Sequence, residues 1–82
     1  MAVKTVTILG STGSVGTQTI DLLQADPENY RVRALIAGRN AALLAEQARS
    51  LHAEIAVIAD ESAFPALRDA LAGSGIRAEA GR

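Results

Sequence analysis

The stretch ILGSTGSVG, residues 8 to 16, constrains this chain more than any other. An apolar run, Val6 to Leu9, stops abruptly at Gly10; glycines recur at Gly13 and Gly16, and an amphipathic segment follows. A strand, a glycine turn and a helix start together make an anion site, because the first backbone N–H groups of a helix have no internal partner and point outward. The three glycines have separable roles. Gly10 permits the tight turn, Gly13 has no Cβ to keep a diphosphate off the backbone, and Gly16 lets the helix pack closely on the strand. Ser11, Thr12 and Ser14 add hydroxyl donors. The spacing is G-x-x-G-x-x-G, a variant of the dinucleotide fingerprint G-x-G-x-x-G. No Gly-Lys-Ser/Thr follows the turn, which excludes a phosphate-loop NTPase. The plain alternative is a glycine-rich turn that binds nothing; the flanking strand, the flanking helix and the hydroxyls favour nucleotide binding.

The rest of the chain repeats the strand–helix alternation. Residues 3–9 read as the first strand, and the helix after the turn is expected to place Val15, Thr19, Ile20, Leu22 and Leu23 inward, with Gln18, Asp21 and Gln24 facing water. Pro27 disfavours helical geometry at Asp26 and ends that helix. A second strand, residues 30–37, carries Arg31 and Arg33 as solvated charges and closes at Gly38. Asn40 is the expected N-cap of a helix with Leu44, Ala48 and Leu51 on one face, and His52 at its end has no assigned role. Residues 54–59 form a third strand, Asp60, Glu61 and Ser62 a turn that caps, and Phe64, Leu67 and Leu71 the inner face of a third helix with Pro65 in its first turn. Residues 76–80 start a fourth strand.

A β-α-β-α-β order with right-handed crossovers gives a parallel, Rossmann-like α/β sheet in the order three, two, one. Crossovers that run one way along a sheet put their helices on one face. The other face of these aliphatic strands is then uncovered, and strand one has a bare edge. Residues 1–82 are therefore expected to be the N-terminal part of a Rossmann-like domain, the incomplete first portion of a doubly wound fold.

With 82 residues there is room for one small domain at most. The composition, 49% apolar with 2% aromatic, suits aliphatic strands buried between layers. A net charge of −1 with dispersed Lys and Arg argues against a nucleic-acid partner. The absence of cysteine excludes disulfides and thiolate metal sites. No apolar run has the length of a membrane span and no signal-peptide pattern is present, so the expectation is a cytoplasmic protein without a membrane partner.

The end of strand two bears on which nucleotide is bound. An NAD-binding fold places Asp or Glu there for the ribose 2′-hydroxyl. This chain has Gly38-Arg39-Asn40. A guanidinium after a strand-ending glycine offers charge and a fork of donors to a 2′-phosphate, which favours NADP over NAD. Asn40 is placed to cap the helix and donate to the phosphate.

TVTILGSTGSVGTQTIDLL, Asp26-Pro27-Glu28, RVRALIAGRN and AVIADE together resemble the N-terminus of the 1-deoxy-D-xylulose 5-phosphate reductoisomerase family, over essentially the whole chain. The turn and the AGRN segment are the specific parts. The resemblance implies an NADPH enzyme of non-mevalonate isoprenoid biosynthesis. In that family a divalent metal, Mg or Mn, supports rearrangement of deoxyxylulose phosphate to an aldehyde, which NADPH reduces to methylerythritol phosphate. It also implies cofactor contacts at Gly10, Thr12, Gly13, Ser14 and Val15 in the turn and at Gly38, Arg39 and Asn40 after strand two. Val15 stands where isoleucine is usual in the family, and Arg39 where lysine or arginine occurs. The family's metal-binding carboxylates, flap and substrate-phosphate contacts do not map onto these residues, so no catalytic or metal-ligating residue is expected here. A phosphorylated sugar substrate and a homodimer are implied for the whole enzyme.

Two other readings stay open at the level of sequence. One is a semialdehyde-type dehydrogenase, whose turns are similar and which would carry a nucleophilic Cys elsewhere. The other is a non-catalytic NADP-sensing module.

Overall fold

A computed structural model of the chain describes residues 3–81. Its elements are β1 (Lys4–Leu9), α1 (Ser14–Gln24), β2 (Tyr30–Ala37), α2 (Ala41–Leu51), β3 (Ile55–Ile58), a 3-10 turn (Glu61–Ala63), α3 (Phe64–Ala70) and β4 (Arg77–Ala80). The four strands form one parallel sheet in the order β1-β2-β3-β4. This extends the expected order by one strand.

The helix boundaries follow from local chemistry. Asn40 Oδ1 accepts from Leu43 N at 3.1 Å and caps α2, as its position implied. At the other end His52 takes a left-handed conformation, φ 55°, which terminates the helix. Asp60 caps the 3-10 turn through Ser62 N, and Pro65 sits in the first turn of α3, where its missing N–H leaves no bond unmade. α1 ends at Gln24, two residues before the Asp26 that precedes proline.

Helix α2 packs against both α1 and α3 and across β2 and β3, so the helices share one face of the sheet. The core lies between the layers. Leu35, Leu44, Ile58 and Leu67 are fully buried there, and each such side chain contributes roughly 1.5–3 kcal/mol relative to exposure. The opposite face holds a row in register across three strands, Leu9–Ile36–Val57. Leu9 is 75% exposed, while Ile36 and Val57 are half-buried and lie outside the core cluster. The expected one-sided cover is thus observed among the described residues.

Two expectations about orientation are corrected. Val15 and Leu22 do not face inward; they are 75% and 73% exposed. The buried residues of α1 are Gly16, Ile20 and Leu23. Gly16 packs directly on the Gly10 carbonyl of the turn, and this contact fixes the rotation of the helix that turns Val15 and Leu22 outward. The strand pairing also contains a shift. Val6 pairs with Val32 but Thr7 pairs with Ala34, so Arg33 has no partner on β1. This irregularity reverses the alternation of β2 and brings Leu35 and Ala37 inward behind Val32.

Candidate functional site

The turn after β1 and the segment after β2 meet at the C-terminal end of the sheet, where open parallel sheets place their ligands. The N–H groups of Gly10 and Ser11 both donate to the Ile36 carbonyl, at 2.7 and 3.1 Å, which pins the turn two residues before Gly38. Gly10 has φ +70°, a left-handed conformation that needs glycine. Gly16 is needed for a different reason. A Cβ there would overlap the Gly10 carbonyl oxygen and lie 2.8 Å from Ser11 Cα. Gly13 is the N-cap of α1, with an extended φ of −77° and no side-chain capping bond. A Cβ at Gly13 would touch only the Gly10 oxygen, at 3.4 Å, and would otherwise project into open space.

Thr17 N donates to the Gly13 carbonyl at 2.8 Å, so the helix ladder starts there. The N–H groups of Thr12, Ser14, Val15 and Gly16 donate to no acceptor among the described residues. Ser14 and Val15 are exposed and Thr12 is half-buried. An uncapped helix start with free donors can bind an anion without rearrangement.

Ser11 departs from its expected role. It is fully buried and its hydroxyl is turned into the protein, so Thr12 and Ser14 are the hydroxyls left for a ligand. Beside it lies Gln47 of α2, 4% exposed, whose Nε2 donates to the Ser11 carbonyl at 2.9 Å. Ser11 Oγ and Gln47 Oε1 are buried without a partner among the described residues. Each such orphan costs about 1–3 kcal/mol. Sequence reasoning overlooked Gln47, although a signal existed: it follows Leu44 by three residues and so shares the inner face of α2.

Gly38, Arg39 and Asn40 are exposed beside the turn. Arg39 forms no ion pair among the described residues. Its positive charge reaches Asp60, two residues beyond β3, whose N–H donates to the Gly38 carbonyl at 2.9 Å. Hydrogen bonds from Ser62 hold the Asp60 carboxyl below its ordinary value of 3.8. Ser62 Oγ donates at 2.6 Å and Ser62 N at 3.0 Å, and the positive charge of Arg39 lowers the value further. The solvated arginine at the other end of β2, Arg31, pairs with Glu54 at 2.7 Å.

The expected cofactor residues are thus gathered at one edge, with the turn supplying N–H donors and the next loop a cation. The residues fit a dinucleotide phosphate: an open approach at Gly13, and N–H donors and a guanidinium that have no partner among the described residues. Among the described residues no three His, Asp or Glu side chains come together as a metal site. A hollow of about 510 Å³ lies at the far end of the strands between Pro27, Tyr30, Arg31 and His52, away from this edge.

The sequence profile of the 1-deoxy-D-xylulose 5-phosphate reductoisomerase family matches residues 6–82. The chain belongs to that family. The reductoisomerase of Gluconobacter oxydans is 61% identical over 79 residues, covering 96% of this chain and 19% of its own length. That of Rhodospirillum centenum is 58% identical over 79 residues, with 96% and 20% covered. Among solved structures, the Zymomonas mobilis reductoisomerase in complex with NADPH superposes with a TM-score of 0.96 at 47% identity, over 99% of this chain and 21% of that one. A reductoisomerase solved with magnesium shares the fold, with a TM-score of 0.83 at 23% identity, over 98% of this chain and 20% of that one. The chain spans about a fifth of the length of the curated relatives it matches. No helix among the described residues is long and apolar enough to cross a membrane.

Proposed function

We propose that these 82 residues are the coenzyme-binding start of an NADPH-dependent 1-deoxy-D-xylulose 5-phosphate reductoisomerase. The observation that carries this reading is the pairing of a donor-rich glycine turn with Arg39 at one sheet edge, where no carboxylate occupies the position after β2. The similarity to a reductoisomerase solved with NADPH supports it. The free N–H groups of Thr12, Ser14 and Val15 would hold the diphosphate, with Gly10 shaping the turn and Gly13 leaving room for approach. Gly38, Arg39 and Asn40 would hold the 2′-phosphate, with the guanidinium as its counter-charge and Asn40 Nδ2 as a second donor.

In the whole enzyme, deoxyxylulose phosphate rearranges to an aldehyde, and NADPH with a proton reduces that aldehyde to methylerythritol phosphate, leaving NADP⁺. A divalent metal, Mg or Mn, supplies charge stabilisation for the rearrangement; a related structure contains magnesium. In this reading the metal and substrate groups belong to a catalytic domain which, like the C-terminal domain of the enzyme, is not among these 82 residues. The enzyme is cytoplasmic and homodimeric in this reading, with a phosphorylated sugar as its substrate.

Titrating the complete enzyme with NADPH and NADH tests the reading. NADPH should bind at least about tenfold more tightly, and turnover should consume one NADPH per methylerythritol phosphate formed, since a charge-assisted contact to the 2′-phosphate is worth about 1.5–3 kcal/mol. Equal affinities, or no NADPH binding, would overturn it.

A further inference from the structure

We infer that Gln47 is a positioning residue for the coenzyme: from the core side it sets the direction of the peptide unit joining Ser11 to Thr12, whose N–H faces the diphosphate site. The inference rests on the nucleotide reading above. A trans peptide unit is planar, so its carbonyl and its N–H point in opposite directions. The Ser11 carbonyl accepts from Gln47 Nε2 at 2.9 Å, inside the protein. The Thr12 N–H of the same unit is therefore turned away from α2, and it has no acceptor among the described residues. One buried hydrogen bond thus fixes an outward donor that belongs to a different residue.

The rest of the turn does not make this bond redundant. Ile36 holds the N–H groups of Gly10 and Ser11, and the Gly13 N–H closes on the Gly10 carbonyl at 3.0 Å. Both anchors leave the Ser11–Thr12 unit free to rotate about its flanking bonds. Gln47 supplies the missing restraint. Its cost points the same way: an apolar residue at 47 would bury no orphan amide oxygen, yet the inner face of α2 carries Gln47 among Ala41, Leu44, Ala45 and Ala48. Gln47 also lies two turns along the helix that Asn40 begins, so one rigid element joins the turn to the proposed 2′-phosphate segment.

The test uses the complete enzyme with Gln47→Met, which keeps the length but has no donor, and Gln47→Glu. Gln47→Met should bind NADPH about tenfold more weakly, since the turn must now be ordered by the ligand itself. Adenosine 2′-monophosphate, which has no diphosphate, should bind both proteins alike. Gln47→Glu should show a pH signature that loss of packing cannot produce. Its protonated carboxyl donates to the Ser11 carbonyl, whereas the carboxylate repels it. NADPH affinity should therefore approach wild type near about pH 5.5 and fall by about pH 8, burial having raised the carboxyl pKa. Wild-type affinity should not follow that profile. Unchanged NADPH binding by Gln47→Met, an equal loss for adenosine 2′-monophosphate, or pH-independent binding by Gln47→Glu would each overturn the inference. If Gln47→Met fails to fold, the pH series decides. Failure of wild type to bind NADPH would instead remove the nucleotide reading, and this inference with it.

Discussion

The Gly10 carbonyl oxygen occupies the space that a Cβ on residue 16 would need, so Gly10 and Gly16 are locked face to face between β1 and α1. In an exposed helix, glycine to alanine is favourable by about 1 kcal/mol. Here the obstacle is backbone, which cannot swing aside. Gly16→Ala should therefore destabilise the protein, by roughly 1–3 kcal/mol through overpacking. Denaturant unfolding of the complete enzyme measures this; a gain in stability would mean that the helix is free to lift off the turn.

Gly13 should behave differently. Its backbone conformation suits any residue, and a Cβ there meets only one oxygen, at 3.4 Å. Gly13→Val should leave the circular dichroism and unfolding midpoint close to wild type while abolishing measurable NADPH binding. Normal binding would move the diphosphate away from residue 13.

Arg39→Asp should separate the coenzymes. The substitution removes a guanidinium and adds a negative charge, which affects only the ligand that carries a 2′-phosphate. KM for NADPH should rise by about ten- to a hundredfold, the worth of hydrogen bonds to a charged group, with little change for NADH. Equal losses would take Arg39 out of the phosphate site.

Asp60 provides a pH-dependent readout next to Arg39. Its folded pKa is depressed, by Ser62 first and by Arg39 in addition. The sign follows from linkage: the bound carboxylate stabilises the fold at pH values above its unfolded pKa. That contribution is lost as pH falls through the lower folded value. Carboxyl NMR should place the Asp60 midpoint below 3.8. Arg39→Gln should move it upward without reaching the value of a free carboxylate, because both Ser62 bonds remain. An unchanged midpoint would show that Arg39 exerts no field there.

The polypeptide of residues 1–82 by itself should self-associate. The row Leu9–Ile36–Val57 lies on the face that no described helix covers. β1 is an edge strand with unpaired backbone groups. Val15 and Leu22 add exposed apolar surface on α1. Sedimentation at several concentrations, with thermal unfolding, checks this. A cooperative monomer that survives dilution would refute the uncovered-face argument.

The sequence alone determined the features whose causes are local. An apolar run ending in glycines specifies strand, turn and helix; Asn40 caps the helix that it precedes; and Pro65 is accommodated in a first turn. The placement of Gly10, Thr12, Gly13, Ser14, Val15, Gly38, Arg39 and Asn40 at one edge also follows from local order, because parallel strands bring successive C-terminal loops together. What only the tertiary structure decided depends on surfaces supplied from elsewhere in the chain. Leu22 and Leu23 are equally apolar, and the approach of Gly16 to the Gly10 carbonyl determines which of them is buried. The skipped residue at Arg33 arises from pairing with β1, so the alternation of β2 alone could not reveal that Leu35 faces inward. Ser11 reads as an outward hydroxyl until α2 brings Gln47 against its carbonyl, 36 residues away in sequence. Hydrogen bonding at that range is set by packing, and packing is a property of the assembled layers.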